Sequence, residues 1–519
     1  MRRAVLGLAF AALAATVLAA SPDALPAAAN GAGPLSLRIN FQPPDVDVPD
    51  GYLPDGGAPY ADRGDGFVYG WDTENARYAR DRDSRHSPDQ RYDTYNILHR
   101  KKHAYTWEVA VPNGHYAVRV VAGDTRKASK RRYQVDVEGV LVVDGALAGS
   151  ARWTEGVQIV AVADGRLTVT NGPGGRKTKI CFIHIDDAPG GLLEGPLPLD
   201  DVRFWAYQLQ RIEDEGGVDQ LANSAYDMLV LEPTRTDWSW EGSRDFDTAA
   251  TVARLKASPA HDGRHRKLLI AYVDIGEAED WRWYWTWSRR WKRRKPMPDD
   301  WPDYIVARDP DGWDGCYPVA YWHPDWKDVM ITGNSHPPTP DRDFVSALDE
   351  VIRDGFDGIY LDWVEGYEDE NVQLAAAADG VDPAEEMIAF IGEIRAYARA
   401  RNPDFVVIQQ NAAELLDGRP HLLDAIDAIA QEAIWYDGTG GFDKWKSRRG
   451  YDRAADPELT DYYIDWLDQY KAAGIPVFNC EYAKKRAPRA YQLSAARGYI
   501  PYCTRRSLAR LTTTPPPGY

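Results

Sequence analysis

With 519 residues, a hydrophobic share of 44% and a formal net charge of −18, the chain is long enough for two sizeable cores and is acidic overall. That charge argues against nucleic acid and anionic membranes as partners, since both require a basic surface. Four cysteines, Cys181, Cys316, Cys480 and Cys503, are too few and too scattered for a disulfide framework, and none has zinc-ligand spacing.

Residues 1–20 combine a basic start, a short apolar core and small residues where a signal peptidase cuts, which reads as a secretory signal and an extracellular protein. The run is short for a spanning helix, and no other segment reaches that length. Residues 21–34, rich in Ala, Pro and Gly, read as a flexible leader. From 35 to 187 short alternating runs (105–112, 115–122, 134–143, 157–162, 166–170 and 180–185) are divided by turn residues such as Pro112-Asn-Gly114 and Ala163-Asp-Gly165. This predicts an antiparallel β-sandwich. A Pro- and Gly-rich stretch, 188–199, reads as the linker.

From 200 to 508 strands alternate with helical spacers, and eight strands are predicted: 202–208, 227–232, 267–275, 356–362, 405–410, 425–432, 476–481 and 498–503. Eight such repeats close a (β/α)8 TIM barrel. Helices are expected at 383–401 and 460–473, an insertion containing the apolar run 317–322 between the third and fourth strands, and a tail from 509 to 519. Cys480 and Cys503 end the last two strands, where they either form a disulfide or remain two buried thiols.

Barrel chemistry sits at the carboxyl ends of the strands. Those ends carry Tyr207 and Gln208, Glu232, Asp274 and Glu277, Asp362, Gln409 with Gln410 and Asn411, Glu432, and Glu481 with Tyr482. So many carboxylates and amides are costly as packing and imply a polyhydroxylated ligand. Asp362 and Glu432, two strands apart, are the candidate catalytic pair for glycoside hydrolysis, and their separation decides between retention and inversion. The apolar neighbours Ile429, Ala430, Ala433, Ile434 and Trp435 suggest Glu432 as the acid, which leaves Asp362 as nucleophile or base. Tyr207, Asp274, Glu277, Gln410, Asn411, Glu481 and Tyr482 are candidate substrate-binding residues, and Trp363 and Tyr436 candidate stacking platforms. No HExxH, calcium-loop, Gly-x-Ser-x-Gly or phosphate-loop pattern occurs, so neither metal nor cofactor is expected.

The motifs Tyr272-Val-Asp-Ile-Gly-Glu-Ala-Glu-Asp-Trp-Arg282, Gly355-Phe-Asp-Gly-Ile-Tyr-Leu-Asp362, Gln409-Gln-Asn-Ala-Ala-Glu-Leu-Leu416, Ile429-Ala-Gln-Glu432 and Phe478-Asn-Cys-Glu-Tyr482 resemble glycoside hydrolase family 114, the endo-α-1,4-polygalactosaminidases. The resemblance spans about residues 200–505 and implies a secreted hydrolase of α-1,4-linked galactosamine-containing polysaccharide, with Asp362 and Glu432 as its catalytic pair. Trp363-Val-Glu365 stands where the family usually has Asn-Val-Asp, and Ala-Gln-Glu-Ala-Ile where it has Asn-Glu-Gln-Cys; both look more like the poorly characterised bacterial and archaeal branch. Ile39-Asn-Phe-Gln-Pro43 and Phe67-Val-Tyr-Gly-Trp71 give the N-terminal region a weaker likeness to malectin-like, galactose-binding-type carbohydrate modules. The partner expected is a polysaccharide, cationic or neutral, acted on by a monomer. The alternatives are a glycosidase of neutral α-galactosides or plant and cell-wall glycans, and a non-catalytic carbohydrate-binding protein.

Overall fold

The computed structural model describes residues 35–126, 132–146, 152–188, 193–232, 246–288, 291, 296–310, 313–437 and 451–512. The signal-like segment, the leader and residues 513–519 of the tail lie outside them. Among the described residues no helix is long and apolar enough to cross a membrane.

The N-terminal region is mostly strands, arranged in two sheets. One runs Trp153–Val162, Gly114–Gly123, Lys179–Asp187, Ser36–Phe41, with Leu53–Asp55 added in parallel at its edge. The other runs Val140–Ala146, Arg132–Val137, Arg166–Asn171, Trp107–Ala110, Val68–Trp71, Ala61–Asp62. Alternation places Ile39, Val118, Val120 and Ile183 of the first sheet and Trp71, Trp107, Val135 and Val169 of the second in one buried cluster. Asp55 fastens the edge strand to this core, accepting from the indoles of Trp71 at 2.7 Å and Trp107 at 2.9 Å. The expected single run 134–143 is instead a hairpin. Glu138 and Gly139 have φ of 53° and 80°, the pair of left-handed residues that a two-residue turn requires, and Val137 faces Val140 across it.

Part of the expected linker is also structured. Glu194–Pro196 lies in parallel against His265–Arg266, and Arg264 clamps Glu194 at 2.9 Å. This seam, together with Val157 and Ala225 packed against Phe204, joins the sheets to the amino-terminal side of the barrel. The carboxyl-terminal mouth is therefore left uncovered by these contacts.

The barrel strands are Trp205–Gln208, Met228–Leu231, Leu268–Asp274, Gly358–Asp362, Val406–Gln410, Ala428–Glu432, Val477–Glu481 and Ile500–Cys503, all parallel and in chain order. Near-continuous apolar runs such as Met228-Leu-Val-Leu231 suit strands covered on both faces. The Trp205 indole donates to the Ile500 carbonyl at 2.9 Å, bringing the first strand to the last. Helices Pro383–Arg399 and Pro457–Ala472 start as their sequences dictate, with Asp382 and Asp456 accepting first-turn amides and proline in the first turn.

A repeat that the sequence did not betray supports the even strands. Asp227, Asp357 and Asp427 each sit one residue before a strand and accept a backbone amide within the preceding strand or just ahead of it, from Arg203 at 2.9 Å, Leu269 at 3.0 Å and Val407 at 2.9 Å. Each also meets a basic side chain: His261, Arg266, or Arg395 with Arg399. These carboxylates lock strand register at the end opposite the mouth.

The cysteines are all buried and free. Cys480 registers beside Tyr502, so Cys503 is one residue out of step. The two thiols accordingly pack in different clusters, one in the barrel core and one against Ala487 and Tyr491, and the disulfide alternative falls away.

Candidate active site

Three strand ends break into sharp bends. Trp363 follows Asp362 with φ of 58°, Asn411 and Ala412 follow Gln410 with φ of 55° and 50°, and Ala433 follows Glu432 with φ of 55°. Left-handed conformations at non-glycine residues are strained, and such strain is characteristically kept where side-chain aim matters. Here the bends turn each loop immediately after its polar strand-end residue.

Asp362 is held from two sides. The Tyr272 hydroxyl donates to Oδ2, and the Trp363 amide donates to Oδ1 at 2.8 Å. Burial pushes its carboxyl up to about 6, with the hydroxyl of Tyr272 opposing and the charge of Glu432 reinforcing the rise. Glu432 accepts from the Tyr482 hydroxyl at Oε1, and its own amide donates to Asn411 Oδ1 at 3.1 Å. Burial raises Glu432 as well, while Tyr482, the charge of Arg506, and Gln410 and Asn411 pull it down. Its carboxylate thus faces a polar group, not the apolar residues adjoining it in sequence. Ile429, Ala430 and Ile434 are buried in the barrel core instead.

Tyr207 reaches in from the first strand, its hydroxyl 3.4 Å from Gln410 Oε1, beneath a floor that includes Tyr360 at a ring separation of 5.1 Å. Asp274 is turned toward its own loop, with Oδ1 accepting the amides of Gly276 at 3.1 Å and Glu277 at 2.9 Å. Its carboxyl is raised well above the ordinary range by burial and by Glu277 and Asp362. Glu277 begins a short strand, Glu277–Glu279, paired with Cys316–Pro318 of the insertion. Next to it Arg282 is taken up by Glu279 at 2.5 Å and by Glu232, so Glu232 braces an arginine.

Two expectations change in the structure. Glu481 is fully buried: Oε2 accepts the amides of Trp435 at 3.0 Å and Tyr436 at 2.8 Å, and Oε1 accepts Asn479 at 2.9 Å. It positions the loop after the sixth strand and offers no oxygen to a ligand. Trp363 is wedged between loops, and a Cβ on Gly276 would lie 2.6 Å from its ring, one on Gly366 2.5 Å. It is packing, whereas Trp435 turns away to donate to Ser494 at 2.9 Å. Tyr436 stays half-buried at the rim, its carbonyl accepting the Tyr482 amide at 3.1 Å.

Two further residues belong to the site. Glu365, one short helical turn past Asp362, has Oε1 3.4 Å from Asn411 Nδ2, and its Oε2 is buried without a hydrogen-bond partner among the described residues. Burial and Asp362 push its carboxyl up to about 8. Its spacing from Asp362 was the available signal. Arg506 carried none: it lies beyond the last strand, and only the fold sets its guanidinium 5.4 Å over the ring of Tyr482.

Arg506 supplies a test of this electrostatic layout. With the cation gone in Arg506→Gln, Glu432 rises further, so a limb of the pH–activity profile that follows Glu432 moves to higher pH. Arg506→Lys retains the charge and restores most of the original profile. Superimposable profiles for wild type and Arg506→Gln would mean the charge does not reach Glu432.

Among the described residues no cluster of His, Cys, Asp and Glu has the arrangement of a metal site. The model of the glycoside hydrolase family GH114 matches residues 205–516. An uncharacterized protein of Methanocaldococcus jannaschii is 31% identical over 328 residues, covering 60% of this chain and 78% of its own length. One of Deinococcus radiodurans is 32% identical over 320 residues, covering 61% and 85%. Among solved structures, Ega3 of Aspergillus fumigatus in complex with galactosamine is 17% identical, covers 62% of this chain and 98% of its own, and gives a TM-score of 0.38.

Proposed function

Since the chain belongs to glycoside hydrolase family GH114, and is a glycoside hydrolase on that ground, we propose that it cleaves α-1,4-linked galactosamine-containing polysaccharide with Asp362 and Glu432 as its two catalytic carboxyls. The observation carrying this reading is the pair itself: two half-buried carboxyls on strands two apart, each bound by a tyrosine hydroxyl and each raised by desolvation. Glycoside hydrolysis needs one carboxylic acid to protonate the leaving oxygen and one carboxylate to attack the anomeric carbon or activate water. Asp362, with a donor on each oxygen, is built to be held as the ionised partner. Glu432 then delivers the proton, and Arg506 limits how far its proton is held.

Charge supports an amino sugar. Glu277, Asp362 and Glu432 gather at the mouth beside Asp274 and Glu365, whose raised carboxyls give up their protons when an ammonium group binds next to them, while Arg282 is engaged by Glu232 and Glu279. Such a surface favours a substrate carrying ammonium groups over a neutral glycan. Secretion through the signal-like residues 1–20, and a carbohydrate-binding sandwich formed by the two N-terminal sheets, complete the proposal.

The test is product release from a panel of de-N-acetylated galactosaminan, its fully acetylated form and a neutral galactan. Oligosaccharides from the de-N-acetylated polymer, with at least tenfold less from the other two, are expected. Preferential cleavage of the neutral galactan would overturn the substrate assignment.

A further inference from the structure

A cleft of about 560 Å³ opens on the N-terminal sheets, and four of its lining residues are arginines, Arg82, Arg85, Arg126 and Arg152, joined by His86. Among the described residues a single carboxylate, Asp83, lines it with them. On a chain of net charge −18 this concentration of guanidinium groups is a local reversal of sign.

The floor is fixed. Arg82 binds Asp124 through Nε at 2.9 Å and Nη2 at 2.8 Å, and its guanidinium lies 5.0 Å from the centre of the Tyr95 ring. Asp124, nearly fully buried, also takes Lys179, so two cations share this carboxylate. The Arg126 amide donates to Asp124 at 3.1 Å, and Arg152 Nε donates to the Thr125 carbonyl at 2.8 Å. Of the other acids of this loop, Asp81 and Asp93 accept the amides of Asp83 and Ser84, and Asp89 pairs with Arg91 at 2.7 Å. Arg85, His86 and Arg126 stand exposed around the rim.

Guanidinium forks match the planar or tetrahedral oxygens of carboxylate and sulfate, and a volume of several hundred Å³ suits one or two sugar units. Among the described residues no aromatic side chain lines the cleft to stack a nucleobase. We propose that this cleft is a binding site for an anionic sugar unit, a uronate or a sugar sulfate, within a glycan. Bound there, the enzyme is retained on an acidic polysaccharide while the barrel mouth stays open, which raises the local concentration of any polymer held in the same material.

The experiment is affinity electrophoresis and calorimetry of the full chain and the double variant Arg85→Ala/Arg126→Ala, with polygalacturonate, dextran sulfate, neutral dextran and single-stranded DNA. Superimposable circular dichroism spectra and thermal melting curves of the two proteins certify that the variant is folded. Expected is retention by polygalacturonate, dextran sulfate or both, not by neutral dextran, with affinity falling as salt rises and at least tenfold weaker in the variant; the responding polymer tells carboxylate from sulfate. Equal affinity of the variant, no retention by either anionic glycan at low salt, or DNA binding as tight as glycan binding would each overturn the proposal. Because the barrel's substrate panel is scored separately, failure of one reading leaves the other standing.

Discussion

Asp362→Asn and Glu432→Gln are each expected to lower turnover by about 10²–10⁴-fold, the usual contribution of a positioned acid or base, while leaving galactosaminan binding within a few-fold of wild type. Both changes are isosteric. At position 362 the Trp363 amide keeps its acceptor while the Tyr272 hydroxyl turns to accept from the new NH2 group, and at 432 the Gln oxygen still accepts from Tyr482, so the mouth keeps its shape and loses only ionisation. Removing either carboxylate also relieves the other of a like charge, because Glu432 contributes to holding Asp362 up to about 6. Wild-type activity should accordingly fall as pH drops through about 6, where Asp362 takes up its proton. Rapid-quench kinetics beside equilibrium binding separates the two quantities. Loss of binding in parallel with turnover would move these residues from chemistry to recognition, and full turnover in either variant would remove it from the pair.

How far the site could be read from the sequence depends on which rule sets each residue. The strand-end positions of Asp362 and Glu432 were legible because barrel strands end at predictable points, and a polar residue closing an apolar run sits at the mouth. The same rule placed Glu481 among the binding residues, and there it fails: the loop after the sixth strand folds back over the seventh, its amides claim Glu481 Oε2, and Asn479 takes Oε1. That fold-back begins at Ala433, whose φ of 55° no composition rule anticipates. Trp363 was open to either reading until its contacts with Gly276 and Gly366 placed it between loops. Arg506 is brought to Glu432 by barrel closure, an event of tertiary structure alone. In the N-terminal region the strand pattern was visible, but Glu138-Gly139 divides one apparent strand into two, since a turn of only two residues barely interrupts hydrophobic alternation.

The second large effect concerns Glu481 and stability. Burial holds its carboxyl up at about 8, against the hydrogen bonds from Asn479 and the amides of Tyr436 and Trp435. A carboxyl whose proton is held more tightly in the folded state stabilises that state fully below its unfolded value, near 4.5. The stabilisation is lost as pH rises through about 8, the reverse of an ion-paired carboxylate. The size is on the order of a few kcal/mol, from about 1.4 kcal/mol per unit, and Glu365, also pushed up to about 8, adds in the same direction. Wild type should therefore lose Tm steadily between about pH 5 and pH 8.5. Glu481→Gln removes one of these titrations while keeping an acceptor for the two amides, and the Asn479 side-chain amide can turn so that its unbonded oxygen receives the new NH2 group. The variant is expected to match or fall below wild type near pH 5 and to exceed it near pH 9. Glu481→Ala, which strands both amides, should be destabilised at every pH by about 1–3 kcal/mol for each amide left buried and unbonded. Parallel Tm curves for wild type and Glu481→Gln across this range would show that Glu481 is already ionised in the folded protein.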